Sequence, residues 1–371
     1  MLKIYYRILI SAWKNFGLGL IFWRWLLFLP LFLFFTRLTL LLDRLFFSQY
    51  LKAEVKSPIF IIGNPRSGTS FLHSLLTQTE EFISFKTWEI FFPSLTARVV
   101  IKPIINFLIC HNLTQIMPEE SGHGLYIDRI EHDEFLFIHK LDTQFLLLLS
   151  PLGFDDREYP ELRLYDRQPD SRRYGSVKFF EDCLKRQIYY TKKSQIIAHI
   201  HFSTCRIKTL LEIFPDAKFI YLVRSPHDTI PSHLTLEYNI FKNQDRLDNI
   251  SPEKLQRYFY RRYQYDIELY RYFYELRKQK EIPSENLMTL CYQSLCSDLE
   301  TSFKQIVDFT AIKPSQILQQ AIKEQAEKQY KRQHKIINLQ QFGLSKAQIA
   351  QDFDFVFEAY DFDNSQSNVT A

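Results

Sequence analysis

The densest chemistry in this sequence lies in Gly63 to Ser70, GNPRSGTS, directly after an apolar run and directly before an amphipathic stretch. Gly63 and Gly68 let the backbone turn tightly, so that successive N–H groups point into one concavity at the positive end of the next helix. An anionic group belongs there. The glycine spacing is that of a phosphate-binding P-loop, yet Thr69-Ser70 stand where a nucleotide triphosphatase carries Lys-Ser/Thr. Arg66 supplies the cation from inside the loop, and its planar guanidinium suits two-pronged capture of a tetrahedral oxyanion. No later apolar strand ends in the aspartate that would hold Mg²⁺. These residue types predict a metal-free site for a phosphate-like ester. The rival reading, an ordinary Gly/Pro turn before a helix, leaves the Arg-Ser-Gly-Thr run unexplained.

A second anion site is expected further on. Arg224-Ser225-Pro226 closes the run AKFIYLV, and Ser232 follows Arg224 by eight residues. An arginine at a strand end and a hydroxyl one to two turns into the next helix can converge on one anion. Three other places offer proton chemistry or charge. Glu89, in KTWEI, ends a run read as a strand, Ile83 to Trp88, and ligands of open α/β sheets collect at such ends. The segment EHDEFLF, Glu131 to Phe137, sets His132 and Glu134 at a helix start, where they can line a pocket or merely cap the helix. His199 and His201 lie at the end of QIIAHI; protonated, either can neutralise an anion, and neutral, both can pack beside the sheet.

The elements that would position these groups are those of an α/β fold. Ile59 to Ile62 form a short continuous apolar run, as expected of a strand covered on both faces in a parallel sheet. Gln195 to Ile200 and Ala217 to Val223 read as further buried strands. Between them, Arg206 to Phe214 has helical spacing, with Ile207, Leu210, Leu211 and Phe214 on one face. Ser251 to Lys280 opens with an N-cap serine and a proline at the first helical position, and its aromatics should pack mostly against the sheet. Pro151 to Ser171, rich in Pro, Asp, Arg and Tyr, reads as a surface loop or lid. The expected fold is a P-loop-like, three-layer α/β domain over 57–362, a central parallel sheet flanked by helices, with a polar disordered tail over 363–371.

With 371 residues the chain can bury a sizeable core. Its 46 basic and 42 acidic residues, net +4, are too balanced for a nucleic-acid coat. Five cysteines, without CxxC spacing or a framework pattern, argue for a reducing compartment and against a zinc site. Residues 1–56 read as a hydrophobic helical arm. From Phe16 to Phe47 the chain is very apolar, but Arg24, Pro30 and Arg37 interrupt it, and Trp25 to Thr36 is shorter than the ~20 residues of a spanning helix. The stretch 16–47 is expected to lie in a membrane interface as a helix or broken helix. An arm packed on the protein's own surface, a partner helix for oligomerisation, and a spanning helix with snorkelling arginines are the alternatives.

PIFIIGNPRSGTSFLHSLL and FPDAKFIYLVRSPHDTIPS resemble the two nucleotide-binding motifs of the sulfotransferase superfamily, particularly its broad group that includes many bacterial membrane-associated members. The resemblance extends from about Ser57 to Phe362, because RQHKIINLQQFGLSKAQIAQDF also looks like that group's C-terminal region. It implies transfer of a sulfuryl group from 3′-phosphoadenosine-5′-phosphosulfate to a hydroxyl or amine of a small-molecule, lipid or glycan acceptor. No metal is expected, and the cytoplasmic side of a membrane is the expected location. By match to the motifs, Arg66, Ser67, Gly68, Thr69 and Ser70 would hold the 5′-phosphosulfate, Arg224 and Ser232 the 3′-phosphate, with Arg332 in a basic cluster closing over it. Glu89 would be the general base, with His132 and Glu134 as alternatives. The sequence departs from the pattern where a lysine is implied at the end of the strand after the lid: here stands His199. A catalytically silent nucleotide-binding scaffold therefore remains as a second reading, ahead of a nucleotide kinase.

Overall fold

The computed structural model describes residues 1–121, 124–243, 250–328 and 338–363. Arg332 and the tail beyond Asp363 lie outside them.

Four parallel strands form the central sheet: β1 (Ile59–Gly63), β4 (Ile197–His199), β5 (Lys218–Val223) and β6 (Leu287–Cys291), in the order β4-β1-β5-β6. A small antiparallel ribbon, β2 (Gln115–Met117) with β3 (Leu125–Tyr126), lies apart from it. All of β1 is buried because its two faces feed different cores. Phe60 and Ile62, with Phe219 and Tyr221 of β5, pack under the helices Asp170–Thr191 and Pro252–Lys278. Ile59 and Ile61, with Ile220 and Leu222, pack under Thr69–Thr77, Leu299–Thr310 and Gln316–Ala326. The period-2 alternation of side chains thus divides one continuous apolar run between two helical layers.

One expected strand is absent. Ile83 to Trp88 makes two isolated bridges, Ile83 to Ile196 and Lys86 to Ile130, and a short helix begins at Thr87. The segment 151–171 is also not a lid. It is built from short 3-10 turns whose Leu152, Tyr159, Leu162 and Tyr165 are buried, and it carries the first helix, Leu2–Phe16, through a bond from Ser11 Oγ to the Pro151 carbonyl (2.7 Å).

The arm is one continuous helix, Leu20–Phe46, of 27 residues, long and apolar enough to cross a membrane by length and composition. Pro30 does not break it. A π-helical stretch at Arg24–Phe28 widens the helix just before the proline, and the Leu26 carbonyl, which Pro30 has no N–H to serve, accepts the Tyr5 hydroxyl at 3.0 Å. Buried Asp43 fastens the arm's far end. Its carboxylate accepts the amides of Leu95 (3.0 Å) and Thr96 (2.7 Å) at the start of the helix Leu95–Cys110 and pairs with Arg186 Nε (2.7 Å). This satisfies helix-end donors and a buried guanidinium with one group. Two helices, not one, then share an exposed apolar surface: Leu31, Phe34, Leu38 and Leu41 on the arm, Val99, Ile104 and Phe107 on the other.

Candidate active site

β1 ends in the glycine turn that the sequence requires. A Cβ on Gly63 (φ +144°) would stand 2.5 Å from the Leu222 carbonyl oxygen, and one on Gly68 (φ +98°) would stand 2.3 Å from the Tyr292 ring. Both positions need glycine for conformation and for space. Arg66 itself has φ 67°, a left-handed conformation unusual for a side chain of its size. The Ser67 hydroxyl is buried with no hydrogen-bond partner among the described residues, and Thr69 opens the next helix.

The two motifs adjoin each other. Arg66 Nε donates to Ser232 Oγ at 3.0 Å, and Arg224 Nη1 donates to the Arg66 carbonyl at 3.3 Å. The Arg224 guanidinium lies over the Tyr292 ring at 4.3 Å, the same ring that backs Gly68. Its own backbone is held by the Tyr270 hydroxyl (2.9 Å). Arg66, Ser67, Gly68, Thr69, Ser70, Arg224 and Ser232 are therefore gathered at the carboxyl end of β1 and β5. An orphaned hydroxyl, two glycines backed against neighbours and two arginines suit an anionic group in this cradle.

Glu89 does not join it. Because a helix starts at Thr87, the Glu89 carboxylate turns back to cap it, accepting the Lys86 amide (2.9 Å) and the Gln187 side-chain amide (3.0 Å). Glu89 is only 5% exposed. The carboxylate that the sequence placed before the loop serves a helix end instead.

The titratable groups that do stand beside the loop come from Glu131–Glu134 and His199–Ser203. Two buried carboxylates clip these segments together: Asp133 accepts the His199 amide (2.7 Å), and Glu134 accepts the Ser203 amide (3.1 Å) and hydroxyl (2.6 Å). Burial raises both acids, Asp133 well above the usual carboxylate range and Glu134 to about 7, the latter opposed by Arg206 and Ser203. The clip sets the His132 ring 4.1 Å from His199 and 5.0 Å from His201. His132 Nε2 lies 3.2 Å from Glu131 Oε1 and 3.4 Å from Ser70 Oγ, and its Nδ1 lies 3.2 Å from His201 Nδ1. EHDE thus has mixed roles: Asp133 and Glu134 hold the frame, while Glu131 and His132 face the cavity. His199, where the resemblance implies a lysine, is a buried ring.

One cavity of about 980 Å³ joins these groups. Its lining includes Arg66, Thr69, Ser70 and Arg224 of the two motifs, Glu131, His132 and His201 of the histidine cluster, Phe16 of the first helix, and the arm residues Ile21, Trp25, Phe28 and Phe32. His233 and Glu237 form part of the wall. Burial lowers His233, but Asp266 (2.8 Å) and Glu237 (3.3 Å) outweigh it and hold the imidazolium up to about 9. The arm's contribution was not visible in the sequence, because only folding brings Leu20–Phe46 to the cavity.

The family model described as "Sulfotransferase family" matches residues 58–315. The curated relatives include the omega-hydroxy-beta-dihydromenaquinone-9 sulfotransferase Stf3 of Mycobacterium bovis and of Mycobacterium tuberculosis, each 24% identical over 257 residues. Those matches cover 67% of this chain and 61% of the relatives, so the chain spans less than two thirds of their length. Among solved structures, sulfotransferase STF9 from Mycobacterium avium superposes with a TM-score of 0.67 at 17% identity, covering 88% of this chain and 82% of that one. Sulfotransferase STF1 from Mycobacterium tuberculosis gives 0.62 at 14% identity, covering 95% and 91%. These structures share the α/β fold described above. With its loop, both arginines and the whole parallel sheet inside the matched region, the chain belongs to the sulfotransferase family.

Proposed function

We propose that this protein moves a sulfuryl group from 3′-phosphoadenosine-5′-phosphosulfate to the hydroxyl of a lipid-like acceptor at a membrane surface. The observation that carries the reading is the single cavity running from Arg66, Ser70 and Arg224 to the apolar arm residues Trp25 and Phe28. A doubly anionic donor suits one region of it, and an apolar chain suits another. The name of the mycobacterial relatives, with its omega-hydroxylated dihydromenaquinone, supports an acceptor of this chemical class. The apolar surface shared by the arm and the helix Leu95–Cys110 supports membrane association. The five cysteines are free, which supports a reducing, cytoplasmic-side location for the site.

In the proposed reaction the acceptor oxygen bonds to sulfur while the bond from sulfur to the 5′-phosphate oxygen breaks, releasing adenosine 3′,5′-bisphosphate. Charge develops on the leaving oxygen and on the sulfuryl oxygens. In this reading Arg66 and the amides of Gly68, Thr69 and Ser70 stabilise that charge without moving. Arg224 and Ser232 hold the 3′-phosphate. The acceptor proton passes to the Glu131 carboxylate, which lines the cavity and which His132 Nε2, beside Ser70, contacts at 3.2 Å. Glu89, turned into its helix cap, takes no part. Incubation of the purified protein with ³⁵S-labelled donor and a membrane lipid extract tests the proposal. Label is expected in the lipid fraction and is lost in Arg66→Ala. Donor binding without any transfer would favour a silent scaffold.

A further inference from the structure

We propose that His132, His199 and His201 form a three-imidazole site for a divalent transition-metal cation, with zinc as the leading candidate, and that Glu131 orients His132 from behind. Each ring offers one nitrogen, and the three nitrogens lie within 4.8 Å of one another. His132 Nδ1 and His201 Nδ1 are already 3.2 Å apart. Two imidazole nitrogens at that distance hold either a proton or a cation between them. Zn–N bonds of about 2.0–2.1 Å in tetrahedral geometry place ligand nitrogens roughly 3.3 Å apart, so this pair has the spacing of two zinc ligands. A shared proton would explain two rings. It does not account for the third, His199, whose ring nitrogen lies within 4.8 Å of the other two.

The surroundings favour the cation. The other nitrogen of His132 lies 3.2 Å from the Glu131 carboxylate. That contact fixes the proton on Nε2 and leaves the Nδ1 lone pair facing His201, the carboxylate–histidine arrangement that orients metal ligands in proteins. The Asp133 and Glu134 bonds to His199 and Ser203 lock the two ligand-bearing segments together, so the site is rigid before anything binds. His199 and His201 are buried, and His132 is largely so. Imidazole donors select zinc, copper, iron or nickel over magnesium or calcium. Binding would release the shared proton to solvent. The cluster abuts the phosphate loop, with Ser70 Oγ 3.4 Å from His132. A cation there would restore positive charge near the place where the family resemblance implies a lysine and this chain has His199. That last role rests on the transferase reading; the binding itself does not.

The test uses the full chain in detergent, stripped with a chelator and titrated with zinc by calorimetry and by metal analysis after dialysis. One zinc per chain is expected. His132→Ala and His201→Ala should each weaken it by at least about 100-fold, and Glu131→Gln by roughly 10- to 100-fold. His111→Ala, at an exposed histidine, should leave it unchanged. Cobalt(II) added to the stripped wild type should give the visible bands of a tetrahedral nitrogen site, bleached by zinc, a readout that needs no variant to fold. Wild-type protein that takes up no more zinc than the His132/His199/His201 triple alanine variant, or that gives no cobalt bands, overturns the proposal. Sulfuryl transfer by chelator-stripped protein with no zinc uptake would sink the metal site and leave the transferase standing. Zinc bound at one equivalent with no transfer to any lipid would do the opposite.

Discussion

Gly68→Ala is the substitution whose consequence follows most directly from the geometry. The added methyl would meet Tyr292 Cδ2 at 2.3 Å, whereas ordinary contact begins at 3.4 Å, so the ring must retreat by about 1.1 Å (3.4 − 2.3) or the loop must move. The backbone at φ +98° adds a penalty of about 1–3 kcal/mol for any residue with a Cβ. Tyr292 is also the platform for Arg224, at 4.3 Å, and losing that stacking costs roughly 0.5–1 kcal/mol. The loop escapes this strain by relaxing away from the anion-binding conformation, and binding must then restore it. A total of about 1.5–4 kcal/mol corresponds to a loss of roughly 10-fold or more in affinity. Calorimetric titration with adenosine 3′,5′-bisphosphate measures it directly, with circular dichroism to establish that the sheet is intact. Affinity within about 3-fold of wild type would refute the link from Gly68 through Tyr292 to Arg224.

Three further outcomes are expected. Glu131→Gln and His132→Ala should each lower turnover by about 100-fold with adenosine 3′,5′-bisphosphate affinity nearly unchanged. Glu89→Gln should instead destabilise the fold by about 1 kcal/mol and leave the turnover of folded protein intact, and equal loss of turnover in all three would restore Glu89 to the chemistry. The double substitution Trp25→Ala/Phe28→Ala should raise KM for a lipid acceptor without altering nucleotide affinity; an unchanged KM removes the arm from the acceptor path. The His233 imidazolium has its folded pKa raised to about 9, so its stabilisation is fully present below about 6.5 and is lost as pH rises through 9. The melting temperature should fall across pH 7 to 9 by the equivalent of at most about 3 kcal/mol, and a flat or rising profile contradicts the buried ion cluster with Asp266, Glu237 and Arg262.

The sheet and the loop were legible because their signals are local. Ile59 to Ile62 is apolar at every position, which is what a strand shared between two cores requires, and Gly63 and Gly68 stand where no Cβ fits. The strand ending in Arg224 and the capped helix at Ser251 were equally local: Ser251 Oγ does accept the Lys254 amide. What failed depends on distant partners. Glu89 became a cap because Gln187 and the Lys86 amide surround it, and the segment 151–171 became a half-buried connector because Leu2–Phe16 packs on it. Pro30 looked like a break, but the Tyr5 hydroxyl serves the carbonyl it abandons. The meeting of His132 with His199 and His201 spans more than sixty residues of chain and rests on two carboxylate bonds that no spacing announces.

The central claim is that Arg66 and Arg224 grip one doubly phosphorylated nucleotide. Its most direct test compares the affinities of adenosine 3′,5′-bisphosphate and adenosine 5′-phosphate for wild type, Arg66→Ala and Arg224→Ala. Charged hydrogen bonds worth about 1.5–3 kcal/mol each predict that wild type prefers the bisphosphate by at least roughly 10-fold, that Arg224→Ala loses this preference, and that Arg66→Ala weakens both ligands. Equal affinity of wild type for the two nucleotides would contradict it.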